Sequence, residues 1–215
     1  MEIQKASFVT SLAAYREEPP IELPQLAVVG KSNVGKSSLI NTLCNRHKLC
    51  KTSGTPGKTR LINVFLINEQ FHLVDLPGYG YARVDKAEKL RWAGMMETYF
   101  RDSTLLRHAL HLVDIRHEPT QDDLEMNRFF RDRGIPFTVV ATKADQISRG
   151  ARSKHLAPIC RALLVQPWEV IVFSALDGTG REDLLQKIEE RIVAPLSAGD
   201  GCGTITLQTG ASIRD

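Results

Sequence analysis

The chain has 215 residues, 25% charged and 42% apolar, with a formal net charge of +3. That is enough for one α/β domain with a full core, and the charge balance alone neither requires nor excludes an RNA partner. No apolar run approaches the ~20 residues needed to span a bilayer. Residues Met1 to Thr10 also lack the apolar centre of a secretory signal, so the expectation is a cytoplasmic protein with no membrane segment. Cys44, Cys50, Cys160 and Cys202 have no metal-ligand spacing and no disulfide framework, and read as free thiols.

Residues 1–24 form an N-terminal arm, in which Ser7 to Leu12 can pack on a domain edge and Glu17-Glu18-Pro19-Pro20 is an irregular connector. Leu26-Ala27-Val28-Val29 then reads as a buried strand. It delivers Gly30-Lys31-Ser32-Asn33-Val34-Gly35-Lys36-Ser37, which has the spacing G-x-x-x-x-G-K-[ST] of a phosphate-binding loop. Ser38 to Leu43 continues with helical spacing. Glycine at both ends of the loop lets successive backbone N–H groups close on phosphate oxygens. The helix that follows presents unpaired N–H groups to the same anion. Lys36 brings a full charge to the β- and γ-phosphates, and Ser37 a hydroxyl for Mg²⁺.

Lys51 to Arg60 is rich in Gly, Thr, Lys and Pro and reads as a loop before the strand Leu61 to Ile67. A threonine here can complete a Mg²⁺ shell and sense the γ-phosphate. Thr52, Thr55 and Thr59 are all candidates on pattern alone. The strand Phe71 to Asp75 ends in D-x-x-G, Asp75-Leu76-Pro77-Gly78. The carboxylate can reach Mg²⁺ through a water, and the glycine N–H can turn onto the γ-phosphate. Tyr79 stands where related nucleotide hydrolases carry a water-orienting Gln, so slow intrinsic hydrolysis is expected. Lys86 to Arg101 reads as a helix.

His108 to Ile115 is the next apolar strand, in which His108 and His111 face opposite sides and are read as structural. Thr120 can cap the helix that runs to Arg133. Phe137 to Ala141 then delivers Thr142-Lys143-Ala144-Asp145, similar to a guanine motif N-K-x-D with Thr in the first place. The Asp145 carboxylate can accept from guanine N1–H and the 2-amino group, donors that adenine lacks, and an unmatched buried carboxylate would cost ~1–3 kcal/mol. The Lys143 stem can cover a face of the base. Val170 to Phe173 is the last strand, with Ser174-Ala175 placed to offer a backbone N–H to guanine O6. Arg181 to Val193 is the last helix, with Leu184, Leu185 and Ile188 on one face. Residues 195–215 read as a disordered tail.

Strand and helix patterns alternate, which predicts an α/β, mostly parallel sheet with helices on both faces over residues 25–194. With the phosphate-loop, D-x-x-G and guanine-type motifs in this order, the chain resembles the three-layer P-loop GTPase (Ras-like) fold, which implies a six-stranded sheet. The ligand is expected at the carboxyl ends of the strands.

Taken together, Gly30–Ser37, Lys51–Thr59, Asp75–Ala82 and Thr142–Asp145 resemble the EngB (YihA/YsxC) family of Era-like bacterial GTPases over about Ser7 to Ala194. The resemblance implies GTP and GDP binding, Mg²⁺, a role in assembling the large ribosomal subunit through rRNA or ribosomal proteins, and a link to cell division and septation. It implies Mg²⁺ ligands at Ser37 and Thr59, catalytic work by Lys36, Thr59 and Gly78, switch contacts at Gly57-Lys58-Thr59-Arg60-Leu61, and a guanine loop at Phe173-Ser174-Ala175. Gly54, Lys58 and Arg60 depart from the residues usual in that family. Asn33 resembles the loop of relatives in which K⁺ assists hydrolysis. A second reading is a nucleotide-dependent RNA- or protein-binding module, with Arg128, Arg131, Arg133, Arg149, Arg152 and Lys154 among its basic footprint. Nothing in the chain demands more than a monomer.

Overall fold

The computed structural model describes residues 1–15, 19, 21–46, 48–50, 61–80 and 86–193. Its strands are β1 (Ala6–Leu12), β2 (Gln25–Gly30), β3 (Ile62–Ile67), β4 (Phe71–Asp75), β5 (Leu106–Asp114), β6 (Phe137–Thr142) and β7 (Val170–Val172). The helices are α1 (Lys36–Leu43), α2 (Lys86–Asp102), α3 (Gln121–Asp132), α4 (Arg152–Leu163) and α5 (Arg181–Ile188). One sheet runs β1-β3-β4-β2-β5-β6-β7. From β4 to β7 the strands are parallel, and β1–β3 and β3–β4 are antiparallel.

The sheet thus has seven strands where the sequence suggested six. The added strand, β1, comes from the segment assigned to the N-terminal arm. Most of its residues are exposed, and its pairing slips between Phe8 and Thr10. An edge strand of this kind lacks the buried, β-branched run that marks a central one. Phe8 lies edge-on to Phe65 with ring centroids 5.9 Å apart, and Asn68 staples the segment down by accepting from the Gln4 and Lys5 amides and donating to Glu2 O.

The central strand β2 is buried at all six positions, as expected for a parallel strand covered on both faces. Its alternate residues serve different layers. Leu26 and Val28 pack with Leu39, Ile40 and Leu43 of α1 and Leu184, Leu185 and Ile188 of α5. Ala27 and Val29 pack with Met95, Met96, Tyr99 and Phe100 of α2 and Phe130 of α3. Helix α4 covers the far end of that second face through Ile159 and Leu163 on Val113, Val139 and Ala141. The period of two in the strands and the helical spacing in α1 and α5 together produce the layers. All the loops that leave the carboxyl ends of β2, β4, β5, β6 and β7 therefore meet at one end of the sheet.

Candidate functional site

The loop after β2 turns directly into α1. Gly35 caps the helix at φ 108°, a left-handed geometry that a side chain would strain. Asn33 also has positive φ, 63°, and is exposed at the loop tip. Lys36 is 8% exposed, and its Nζ lies 3.4 Å from Gly30 O, folded back over its own loop. Burial lowers its pKa, partly opposed by Asp75. Val34 is in the core, so what it offers a ligand is backbone. Its carbonyl accepts from the Thr142 hydroxyl at 2.6 Å, and the same hydroxyl is 3.0 Å from Val113 O. Thr142 therefore ties the phosphate-type loop to β5 and β6.

Asp75 ends β4 at 2% exposure, facing Lys36. Burial raises its pKa, while Lys36 and a hydrogen bond from Asn63 of β3 oppose the shift. Asn63 is itself held by Ser11 Oγ of β1 at 2.7 Å. The Oδ1 atom of Asp75 is buried without a hydrogen-bond partner. An orphaned carboxylate oxygen beside a loop that ends in Lys36-Ser37 fits a hydrated cation at this place. Among the described residues no cluster of three His, Cys, Asp or Glu side chains is arranged for a metal. Leu76 and Pro77 are buried behind Asp75. Gly78 then comes so close to the loop that a Cβ on it would sit 2.9 Å from Lys36 Nζ and 3.0 Å from Ser32 N. The residue type is set by that approach.

At the other end, a cleft of about 580 Å³ is lined by Gly35, Thr142, Lys143, Asp145, Phe173 and Ala175, together with Ser38, Asn41, Thr42, Asn45, Arg46, Leu176 and Gly178. That volume lies within the ~300–1,000 Å³ usual for small-ligand sites. The loops after β6 and β7 are joined: the Ala144 amide donates to Phe173 O at 3.1 Å, and the fully buried Ser174 donates through Oγ to Asp145 Oδ1 at 2.9 Å. The same Ser174 oxygen accepts from the Leu176 and Asp177 amides. Asp145 Oδ2 accepts from Gln146. Hydrogen bonds from Gln146 first, and then Ser174, hold the Asp145 carboxyl below its ordinary range.

Lys143 adopts φ 60° and donates to Asp114 Oδ2 at 2.9 Å, which fixes its stem along the cleft. Arg116 donates to both Asp114 oxygens at 2.9 and 2.7 Å. Burial works against ionisation of Asp114, but these bonds pull its pKa well below the usual carboxylate range. The sequence reading passed over Asp114, Arg116 and the α1 residues of the cleft. The visible signal was an Asp at the end of β5, the same strand end at which β4 places Asp75.

The structure brings Gly30 to Ser37, Asp75 to Gly78, Thr142 to Asp145 and Phe173 to Ala175 to one end of the sheet. Leu61, just before β3, is exposed. Thr52, Thr55, Gly57, Lys58, Thr59 and Arg60 lie outside the described residues. His108 and His111 do face opposite sides of β5, toward Thr138 and Tyr79 respectively, and share no site. Of the basic footprint, Arg131 caps α4 at Leu163 O and Leu164 O, Arg133 pairs with Glu97, and Arg152 reaches Ala144 O.

Residues 25–143 match the family described as 50S ribosome-binding GTPase. The probable GTP-binding protein EngB of Desulfitobacterium hafniense is 50% identical over 189 residues, 87% of this chain and 94% of the relative. That of Caldanaerobacter subterraneus is 49% identical over 192 residues, 89% of this chain and 99% of the relative. This chain belongs to the EngB family of GTP-binding proteins. A crystal structure of a probable EngB superposes with a TM-score of 0.64 at 26% identity, covering 77% of this chain and 97% of that one. Aquifex aeolicus Era bound to GDP and AlF4⁻ shares the fold, with a TM-score of 0.66 at 24% identity over 81% of this chain and 58% of that one. As an EngB member, the chain is a GTP-binding, GTP-hydrolysing protein with the P-loop GTPase fold. No helix among the described residues is long and apolar enough to cross a membrane.

Proposed function

We propose that this chain is a slow, Mg²⁺-dependent GTPase of residues 25–194 whose nucleotide state regulates its binding to the large ribosomal subunit during assembly. The carrying observation is the pairing of Asp145 with Ser174 beside a cleft that Asp145 and Gly35 of the phosphate loop both line. A guanine in that cleft would exchange the Gln146 bond to Asp145 for its own N1–H and 2-amino donors. Lys143, locked by Asp114, would cover the base. The Val34 and Gly35 backbone, with Lys36, would hold the phosphates, and Thr142 would keep that loop from drifting off β5.

A Mg²⁺ ion held by Ser37, Thr59 and, through water, Asp75 would neutralise charge on the phosphates as the terminal P–O bond breaks. Lys36 and the Gly78 amide would carry the charge developing on the γ-phosphoryl oxygens. Slow turnover follows from Tyr79: its phenol turns into the protein toward His111 and Asp123, so it does not orient an attacking water. Asn33, exposed at the loop tip, is the residue that would bring K⁺ to the phosphates. The large-subunit part of the reading is supported by the description of the matching family, 50S ribosome-binding GTPase. The family resemblance extends it to cell division and septation.

Sedimentation with purified large subunits, once with a non-hydrolysable GTP analogue and once with GDP, tests the proposal. Co-migration only with the analogue is the expected result. Absence from the subunit in both states would overturn the ribosomal reading, and equal competition by ADP and GDP would overturn the guanine site.

A further inference from the structure

Tyr79 joins three parts of the molecule that are far apart in the chain. Its carbonyl accepts from the Ser32 amide at 2.8 Å, so the strand path of β4 stays zipped to the phosphate loop one residue past Gly78. Its phenol points the other way, into the layer under α3, where it donates to Asp123 Oδ1 at 2.7 Å and lies 2.9 Å from His111 Nε2. Asp123 Oδ2 also accepts from the Thr120 amide and hydroxyl, at 2.8 and 2.7 Å, as part of the α3 cap. A phenol has one proton. Since the carboxylate takes it, His111 must carry its own proton on Nε2 and donate to Tyr79 Oη. The His111 Nδ1 is buried with no acceptor beside it, so a proton there would go unpaired, which agrees with placing it on Nε2. The next residue is boxed in as well: a Cβ on Gly80 would meet Asp122 Oδ2 at 2.6 Å and the Lys31 side chain at 3.1 Å.

We propose that Tyr79 is a positioning residue for the hydrolysis reaction: anchored by His111 and Asp123, it holds Gly78 against Ser32 and Lys36, where the Gly78 amide meets the γ-phosphate. The inference deepens the nucleotide-site reading above and rests on it. Because the phenol anchor sets the turn that carries the Gly78 amide, while the phosphate loop has its own supports in Thr142 and α1, its loss weighs on nucleotides with a γ-phosphate more than on diphosphates. The anchor also makes the α3 cap sense the third phosphate, because any rotation of the Gly78 turn drags on the carboxylate that caps α3. The device is a hydrogen-bond chain from His111 of β5 through the Tyr79 phenol to Asp123 of α3.

The test is the affinity of the full chain for GDP and for a non-hydrolysable GTP analogue in Tyr79→Phe, His111→Leu and His111→Gln. Tyr79→Phe keeps the ring and removes both hydroxyl bonds. The analogue is expected to bind about five- to tenfold more weakly and GDP within twofold of the parent, with single-turnover hydrolysis slowed in parallel. His111→Leu should show a smaller loss of the same selectivity, because the Asp123 bond remains. His111→Gln, whose amide can still donate to the phenol, should restore it. A purely structural role would weaken both nucleotides together. Equal losses, unchanged ratios in Tyr79→Phe, or His111→Gln behaving as His111→Leu would overturn the proposal. Failure of the parent protein to bind either nucleotide would instead refute the nucleotide site, and this proposal with it.

Discussion

Replacing Thr142 by Val removes one oxygen and keeps the shape of a side chain that is 2% exposed. In the parent that oxygen donates to Val34 O at 2.6 Å and lies 3.0 Å from Val113 O. A net hydrogen bond contributes about 1 kcal/mol, and a buried acceptor left without a donor costs about 1–3 kcal/mol. The expected destabilisation is therefore about 2 kcal/mol, or a fall in Tm of about 4–8 °C for a domain of this size. Since Val34 belongs to the loop that lines the phosphates, nucleotide release should accelerate as well. A loss of about 1.4 kcal/mol at the loop would make GDP leave about tenfold faster. Urea melts of the nucleotide-free protein give the first quantity, and displacement of a fluorescent GDP gives the second. Thr142→Ser should recover most of both. If Thr142→Val stays within about 0.5 kcal/mol of the parent and releases GDP at the parental rate, Thr142 is a space-filler and the tie between the loops is refuted.

Asp145→Asn exchanges an acceptor for a donor where guanine presents its 2-amino group. GDP affinity should fall about 10- to 100-fold. Xanthosine diphosphate, with a carbonyl at that position, should lose less, and equal losses in a competition assay would refute the contact. Burial pushes the pKa of His108 and of His111 down to about 4 from 6.5, against Asp123 in the case of His111 and with Lys187 and Arg191 adding to the effect at His108. The unfolded chain binds protons at both histidines below pH 6.5 while the fold does not, so stability is complete above that pH and declines as pH falls toward 4. At pH 5 each histidine should cost about 2 kcal/mol, and His108→Gln should halve the slope of melting temperature against pH in that window. Turnover measured in K⁺ should exceed that in Na⁺ if Asn33 holds the cation, and equal rates would remove it from the mechanism.

The strands, helices and loop motifs were legible because each is a local pattern. The buried runs at Leu26–Val29 and Phe137–Ala141, the glycines of the phosphate loop and the Asp75 and Asp145 positions all declare themselves within eight residues. The missing seventh strand declares nothing: Ala6–Leu12 alternates weakly, is mostly exposed and takes its register from β3, some 55 residues further on. The site's supports are invisible for the same reason. Asp114 meets Lys143 across 29 residues, Tyr79 meets His111 and Asp123 across 32 and 44, and Thr142 meets Val34 across 108. Each uses an ordinary residue type that acquires its role only when segments distant in the chain are laid side by side. Tyr79 illustrates both sides. Its position after Gly78 marked the absence of a water-orienting Gln, whereas the direction of its phenol follows from the packing of α3.

The turn between β3 and β4 lies at the end of the sheet remote from the nucleotide loops, and Asn68 there grips the backbone of residues 2, 4 and 5. This gives the molecule a handle. A dye, tether or affinity peptide grafted at Glu69 or Gln70 would be carried by a hairpin whose opposite tip sits at Asn63 and Asp75. A label there stands on the same hairpin as Asp75 but at its far end, so the distance from it to a residue of the cleft reports on the site from a point that touches no ligand.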